Sequence, residues 1–109
     1  ESFIRELDSE QINGWVQAFK KAKADLKSIA RYTESRWGRT QRNHYILQFD
    51  QCFQLLAENP RMGQSCDEII PGYRHLPQGS HVIFYCQATE SSVDIIRILH
   101  KRMLPEEHL

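Results

Sequence analysis

Long apolar runs are absent from this chain of 109 residues. No stretch of about 18 hydrophobic residues occurs, so no helix of it is expected to span a membrane. Cysteine is scarce: Cys52, Cys66 and Cys86 fall in three separate segments. An odd number without CxxC spacing excludes a disulfide framework, and with His44, His75 and His81 the cysteines make no finger-like ligand set. They are read as ordinary thiols, and no metal or cofactor is expected. A glycine-rich phosphate loop is missing too, since "PQGSH" reads as a hairpin turn. No strand–turn elbow frames Cys86 with His81, so neither is expected to be catalytic. Glu106 and Glu107 adjoin Pro105 near the chain end, a poor place to shift a carboxyl pKa, and are read as solvated. The opening "ESFIRELDSEQ" is acidic and mixed, unlike a signal peptide, and a cytoplasmic location is the default expectation.

What is present is the mix of an ordinary globular domain, 40% hydrophobic and 26% charged. The net charge of zero conceals an asymmetry. Residues 1–14 carry Glu1, Glu6, Asp8 and Glu10 against Arg5, a balance of −3, and the remainder carries +3. In the leader, Phe3, Ile4 and Leu7 form a short apolar face at helical spacing, too short to be stable unless docked. Asn13–Gly14 marks a turn or linker, and Trp15–Phe19 reads as a short strand.

From Lys20 to Trp37 the pattern is helical, with Ala22, Leu26, Ile29, Ala30, Thr33 and Trp37 on one face. Lys20, Lys21, Lys23, Lys27 and Arg31 cover the rest and are read as a solvated face. Gly38 stops this helix, and Thr40 is a plausible cap for a second. Tyr45, Ile46, Phe49, Cys52, Phe53, Leu55 and Leu56 form its apolar stripe, and Pro60 ends it. A loop, "NPRMGQSCDEIIPGYR", leads to three β-prone runs, "YRHLP", "HVIFYCQ" and "VDIIRIL", joined by "QGS" and "ATESS" turns. The expected fold is α+β: a short N-terminal strand, an antiparallel helix hairpin, and an antiparallel β-meander on which the hairpin packs.

Basic residues follow the last strand at once, in "RILHKRM". Alternation puts Arg97 and Leu99 on one face and Ile96, Ile98 and His100 on the other. Arg97 is therefore expected to point to the open face of the sheet, with Tyr73 and Arg74 on a neighbouring strand. Such a group suits phosphate or carboxylate recognition. An edge-strand charge that guards against aggregation explains Arg97 equally well.

The stretches "AKADLKSIARYTESRWG", "FQLLAENPRMG", "DEIIPGYRHLPQGSHVIFYC" and "VDIIRILHKRM", in this order, resemble the ParE toxins of bacterial toxin–antitoxin modules, within the RelE/ParE superfamily. The resemblance implies a toxin that inhibits DNA gyrase and is neutralised by a ParD-type antitoxin. It makes Tyr73, Arg74, Arg97, His100, Lys101 and Arg102 the candidate toxin surface. The related RelE branch cleaves mRNA on the ribosome, which needs an assignable general base that this sequence does not frame. Residues 1–14 resemble the C-terminal tail of a ParD antitoxin instead, giving a division into a tail, 1–14, and a toxin domain, 15–109. An inert fusion acting only as a binding module is the corresponding alternative. Phe3, Ile4 and Leu7 would be the tail's contact residues. A two-residue hinge reaches at most ~7 Å, which favours a tail-swapped homodimer over docking in cis. The strand-to-helix joint near residue 19 is shorter than the family's usual spacing.

Overall fold

The computed structural model describes residues 11–13, 16–18 and 20–109. Two short strands, β1 (Gln11–Asn13) and β2 (Val16–Ala18), pair antiparallel. Two helices follow, α1 (Lys20–Trp37) and α2 (Arg39–Glu58). Four further strands complete the sheet: β3 (Gln64–Ser65), β4 (Tyr73–Gln78), β5 (His81–Thr89) and β6 (Ser92–His100). A 3-10 turn, Pro105–Glu107, closes the described chain.

The strand order is β1-β2-β6-β5-β4-β3, with β3 to β6 antiparallel and β2 running parallel to β6. This is the α+β arrangement expected from the alternation of the late strands and the helical period before them. Within the expected loop, Gln64–Ser65 adds a small edge strand against Arg74 and His75. The sheet also reaches into the segment assigned to the tail, through Gln11–Asn13.

One residue joins the helices. Gly38 has φ 92°, a left-handed conformation that costs glycine nothing. Its N–H donates to the Glu34 carbonyl, and its own carbonyl accepts the Arg42 N–H. Gly38, not Thr40, is therefore the cap residue of α2, and Thr40 lies inside the first turn. Across this tight joint Arg42 and Glu34 form an ion pair at 2.6 Å.

The helices bury the predicted faces, Ala22, Leu26, Ile29, Ala30 and Thr33 from α1 and Ile46, Phe49, Phe53, Leu56 and Ala57 from α2. Against them stand Ile83 and Tyr85 of β5 and Val93, Ile95 and Ile98 of β6. Two residues expected in this core are not: Trp37 and Leu55 are exposed. Tyr85 is fully buried and ties the core to the following loop. Its hydroxyl donates to the Pro60 carbonyl and accepts the Gly63 N–H, each at 2.8 Å.

Strict alternation in β6 fails at one point. Phe84 pairs with Arg97 and Tyr85 with Ile95, so Ile96 is an extra residue, a β-bulge. The bulge puts Ile95, rather than Ile96, into the core with Ile98. The sheet's second face is not open as expected. Cys66, Phe84 and Leu99 form a second buried cluster there, packed against Ile69, Tyr73, Val82, Met103 and Leu109. The loop before β4 and the segment after β6 thus cover this face.

Candidate functional surface

The predicted surface residues divide by their place along the strands. Tyr73 is opposite Cys86, and Cys86 is opposite Asp94; at the other end His81 is opposite His100. Five residues of strand separate these ends, ~16 Å at ~3.3 Å per residue. Tyr73 and Arg74 are therefore not gathered with His100, Lys101 and Arg102, contrary to the expectation of one cluster.

Arg74 serves its own loop, donating to the Gly63 carbonyl at 2.7 Å. Tyr73 packs in the second cluster. Arg97 is also engaged within the fold. Its Nε and Nη2 donate to the two Asp25 oxygens at 2.8 and 3.0 Å, and its Nη1 donates to the His108 carbonyl at 2.9 Å. The Arg97 and Asp25 side chains are only 16% and 15% exposed. Donating these hydrogen bonds to Asp25 holds the guanidinium pKa above its already high ordinary value.

The reason lies at the edge of β6. Strand β2 pairs with it only as far as Ile95. Beyond that point the Ile98 N–H donates to Asp25 Oδ2 at 2.9 Å. The carboxylate therefore stands where the next strand would, and Arg97 neutralises it there. The expectation that Arg97 points freely from the sheet is thus corrected. Sequence reasoning missed Asp25 because it is one acid among lysines. Its signal was position: it sits between Ala22 and Leu26, at the border of the buried stripe.

His100, Lys101 and Arg102 lie where β6 ends. The Arg102 N–H donates to His100 Nδ1 at 3.1 Å, and the Lys101 N–H donates to the Ser80 carbonyl at 3.0 Å, which fixes the turn. The Lys101 and Arg102 side chains are exposed. The rings of His100 and His81 meet edge-on, with centroids 5.3 Å apart. His81 Nδ1 is 2.8 Å from the Tyr45 hydroxyl, which also accepts the Ser80 N–H and reaches the Gln78 carbonyl. Burial above all, and His100 next to it, push the His81 pKa down from 6.5 to about 4, against a small opposing pull from Asp25. His81 is neutral at physiological pH. Burial likewise raises the Tyr45 pKa, against the Ser80 hydrogen bond.

These histidines form one wall of a cleft of about 650 Å³. Tyr32, Thr33 and Trp37 of α1 form another, and Gln41 and Tyr45 of α2 complete it. The Arg36 guanidinium lies 6.0 Å from the Tyr32 ring centre and 5.9 Å from that of Trp37. Sequence reasoning singled out neither Tyr32 nor Arg36 and read Trp37 as a core residue, because their spacing matches an ordinary helix end.

Phe3, Ile4 and Leu7, and with them the tail contact and the swapped dimer, lie outside the described residues. So does the strand-to-helix joint at residue 19. Among the described residues no helix is long and apolar enough to cross a membrane.

An α+β fold, two helices on a mainly antiparallel sheet with a basic surface at the end of its last strand, is the class these features define. The chain belongs to the ParE toxin family of type II toxin–antitoxin systems, whose pattern its residues 18–105 match. It is 42% identical over 88 residues to toxin ParE1 of Mycobacterium tuberculosis (strain CDC 1551 / Oshkosh), covering 81% of this chain and 90% of the relative. With toxin ParE1 of Caulobacter vibrioides (strain ATCC 19089 / CIP 103742 / CB 15) the identity is 41% over 90 residues, covering 83% and 92%. Toxin ParE of Escherichia coli is 32% identical over 82 residues, covering 75% and 80%. The fold is similar to that in a solved structure of the chromosomal ParDE TA system from P. aeruginosa, with a TM-score of 0.66 at 18% identity, covering 79% of this chain and 94% of that one.

Proposed function

We propose that this chain is a toxin that inhibits DNA gyrase in the cytoplasm without catalysis of its own, and that a ParD-type antitoxin neutralises it. Membership of the ParE family carries this reading. The cations support it further. Phosphodiester cleavage of the RelE kind would need free basic groups beside a base. Arg97 is bound to Asp25, and Arg74 to the Gly63 carbonyl. Of the candidate cations Lys101 and Arg102 project to solvent, and the His100 beside them spends its Nδ1 lone pair on the Arg102 N–H, which leaves a contact surface rather than a base. The test is a supercoiling assay with purified gyrase and relaxed plasmid. Loss of supercoiling or trapped cleaved DNA is the expected result. Intact supercoiling together with mRNA cut on ribosomes would place the protein in the endonuclease class.

The resemblance of residues 1–14 to an antitoxin tail belongs to the same proposal. The acidic balance of that segment supports a docked, inhibitory role. Removing residues 1–10 leaves β1 intact and is expected to raise growth inhibition. Equal inhibition with and without them would remove the tail from the account.

A further inference from the structure

The strongest charge asymmetry in the molecule lies on the helix hairpin. Residues 20–42 hold eight basic side chains and two acidic ones, a balance of +6 in a chain of net charge zero. Both acids are engaged internally, Asp25 with Arg97 and Glu34 with Arg42. Lys20, Lys21, Arg31, Arg36 and Arg39 are exposed, so this surface presents a positive field to solvent.

At its far end two large aromatic rings stand in water: Trp37 is 66% exposed and Tyr32 61%. Burial in the core would have been the ordinary fate of residues this apolar. Instead both line the cleft, and the Arg36 guanidinium lies about 6 Å from each ring centre. Gln41, Ser80 and His100 also line the cleft, and among the described residues no side-chain hydrogen bond occupies Gln41 or the Ser80 hydroxyl. Because His100 Nδ1 accepts the Arg102 N–H, the neutral ring carries its proton on Nε2 and has a donor left. Lys101 and Arg102 follow His100 directly.

Flat rings with a cation close to both, polar groups in the same cleft and more cations beyond are the parts of a single-strand binding site. Stacking holds the base, and the cations hold the phosphates. A partner recognised by charge alone would need only the lysines and arginines. We propose that the cleft takes an unstacked base of a single-stranded nucleic acid. The base packs against both Trp37 and Tyr32. Gln41, Ser80 and His100 face its edge, and Arg36, Lys101 and Arg102 contact the flanking phosphates. This goes beyond gyrase inhibition and does not depend on it.

The experiment is fluorescence anisotropy of the full chain with labelled oligothymidylate, oligouridylate, an abasic strand of equal length, and a duplex. Both single strands with bases are expected to bind more tightly than the abasic strand and the duplex. A preference between the first two tells whether DNA or RNA is the natural ligand. Trp37→Ala and Tyr32→Ala should each weaken single-strand binding by about 5- to 100-fold. Arg36→Gln should lower the slope of log affinity on log salt by about 0.7. All three side chains are exposed, and unchanged thermal melting confirms that the variants fold. Equal affinity for the abasic strand overturns the proposal and leaves a general polyanion surface. Unchanged binding in the Trp37→Ala, Tyr32→Ala double variant overturns it as well. No gyrase is present in this assay, so its failure is distinguishable from failure of the gyrase reading.

Discussion

Asp25 holds Arg97 through both carboxylate oxygens and, with one of them, accepts the Ile98 N–H. A helix side chain thereby completes the hydrogen bonding of a strand edge that its neighbouring strand leaves at Ile95. Either partner alone would be a poorly solvated charge.

Arg97→Ala should therefore destabilise the fold by about 2–4 kcal/mol, between the worth of a charged hydrogen bond and that of a fully buried ion pair. Arg97→Lys keeps the charge but not the two-pronged geometry and should fall between. Urea denaturation of Arg97→Ala, Asp25→Ala and the double variant measures the coupling. Independent, additive losses would show that the two side chains do not act together. Loss of toxicity in Arg97→Ala would report unfolding rather than a lost contact.

Tyr85 supplies a second stability test. Tyr85→Phe leaves the Gly63 N–H and the Pro60 carbonyl without their partner and should cost about 1–3 kcal/mol. Gly63→Ala should be worse. A Cβ there would stand 2.5 Å from the His75 carbonyl oxygen and 2.7 Å from the Tyr85 hydroxyl. Thermal melts of both variants check the order. A Gly63→Ala protein as stable as wild type would contradict this packing.

The pH dependence follows from His81. Its folded pKa, about 4, lies below the ordinary 6.5, so the unfolded chain binds the extra proton first. The contribution of neutral His81 is complete above pH 6.5 and is lost as pH falls through about 4. His81→Phe should flatten the fall in melting temperature over that window. Tyr45 would keep its Ser80 and Gln78 partners in that variant. An identical acid profile in both proteins would show that His81 is not held neutral.

The hairpin and the three main strands were legible because each has a strong period: Leu26, Ile29, Ala30 and Thr33 at helical steps, and the β-branched runs at 82–85 and 93–99. The bulge at Ile96 was not, since no local pattern announces an extra residue when Ile95, Ile96 and Ile98 are equally apolar. The covered second face was hidden for a related reason. Cys66, Ile69, Met103 and Leu109 are scattered in loop-like sequence and meet only through tertiary folding. The candidate surface was read from adjacency along the chain, which keeps His100, Lys101 and Arg102 at one strand end. It could not show that Tyr73 and Arg74 stand at the other end of their strand, because strand register decides that. Arg97 misled for the reason its partner was missed: its carboxylate lies 72 residues away.

Gyrase supercoiling measured with the wild-type chain and with Lys101→Ala/Arg102→Ala tests the account most directly. Both side chains are exposed, so the double variant should keep its stability within about 0.5 kcal/mol per site. The wild type is predicted to abolish supercoiling and the variant to leave it intact at the same concentration. Undiminished supercoiling with the wild type, or equal inhibition by the folded variant, would contradict the proposed action at the end of the last strand.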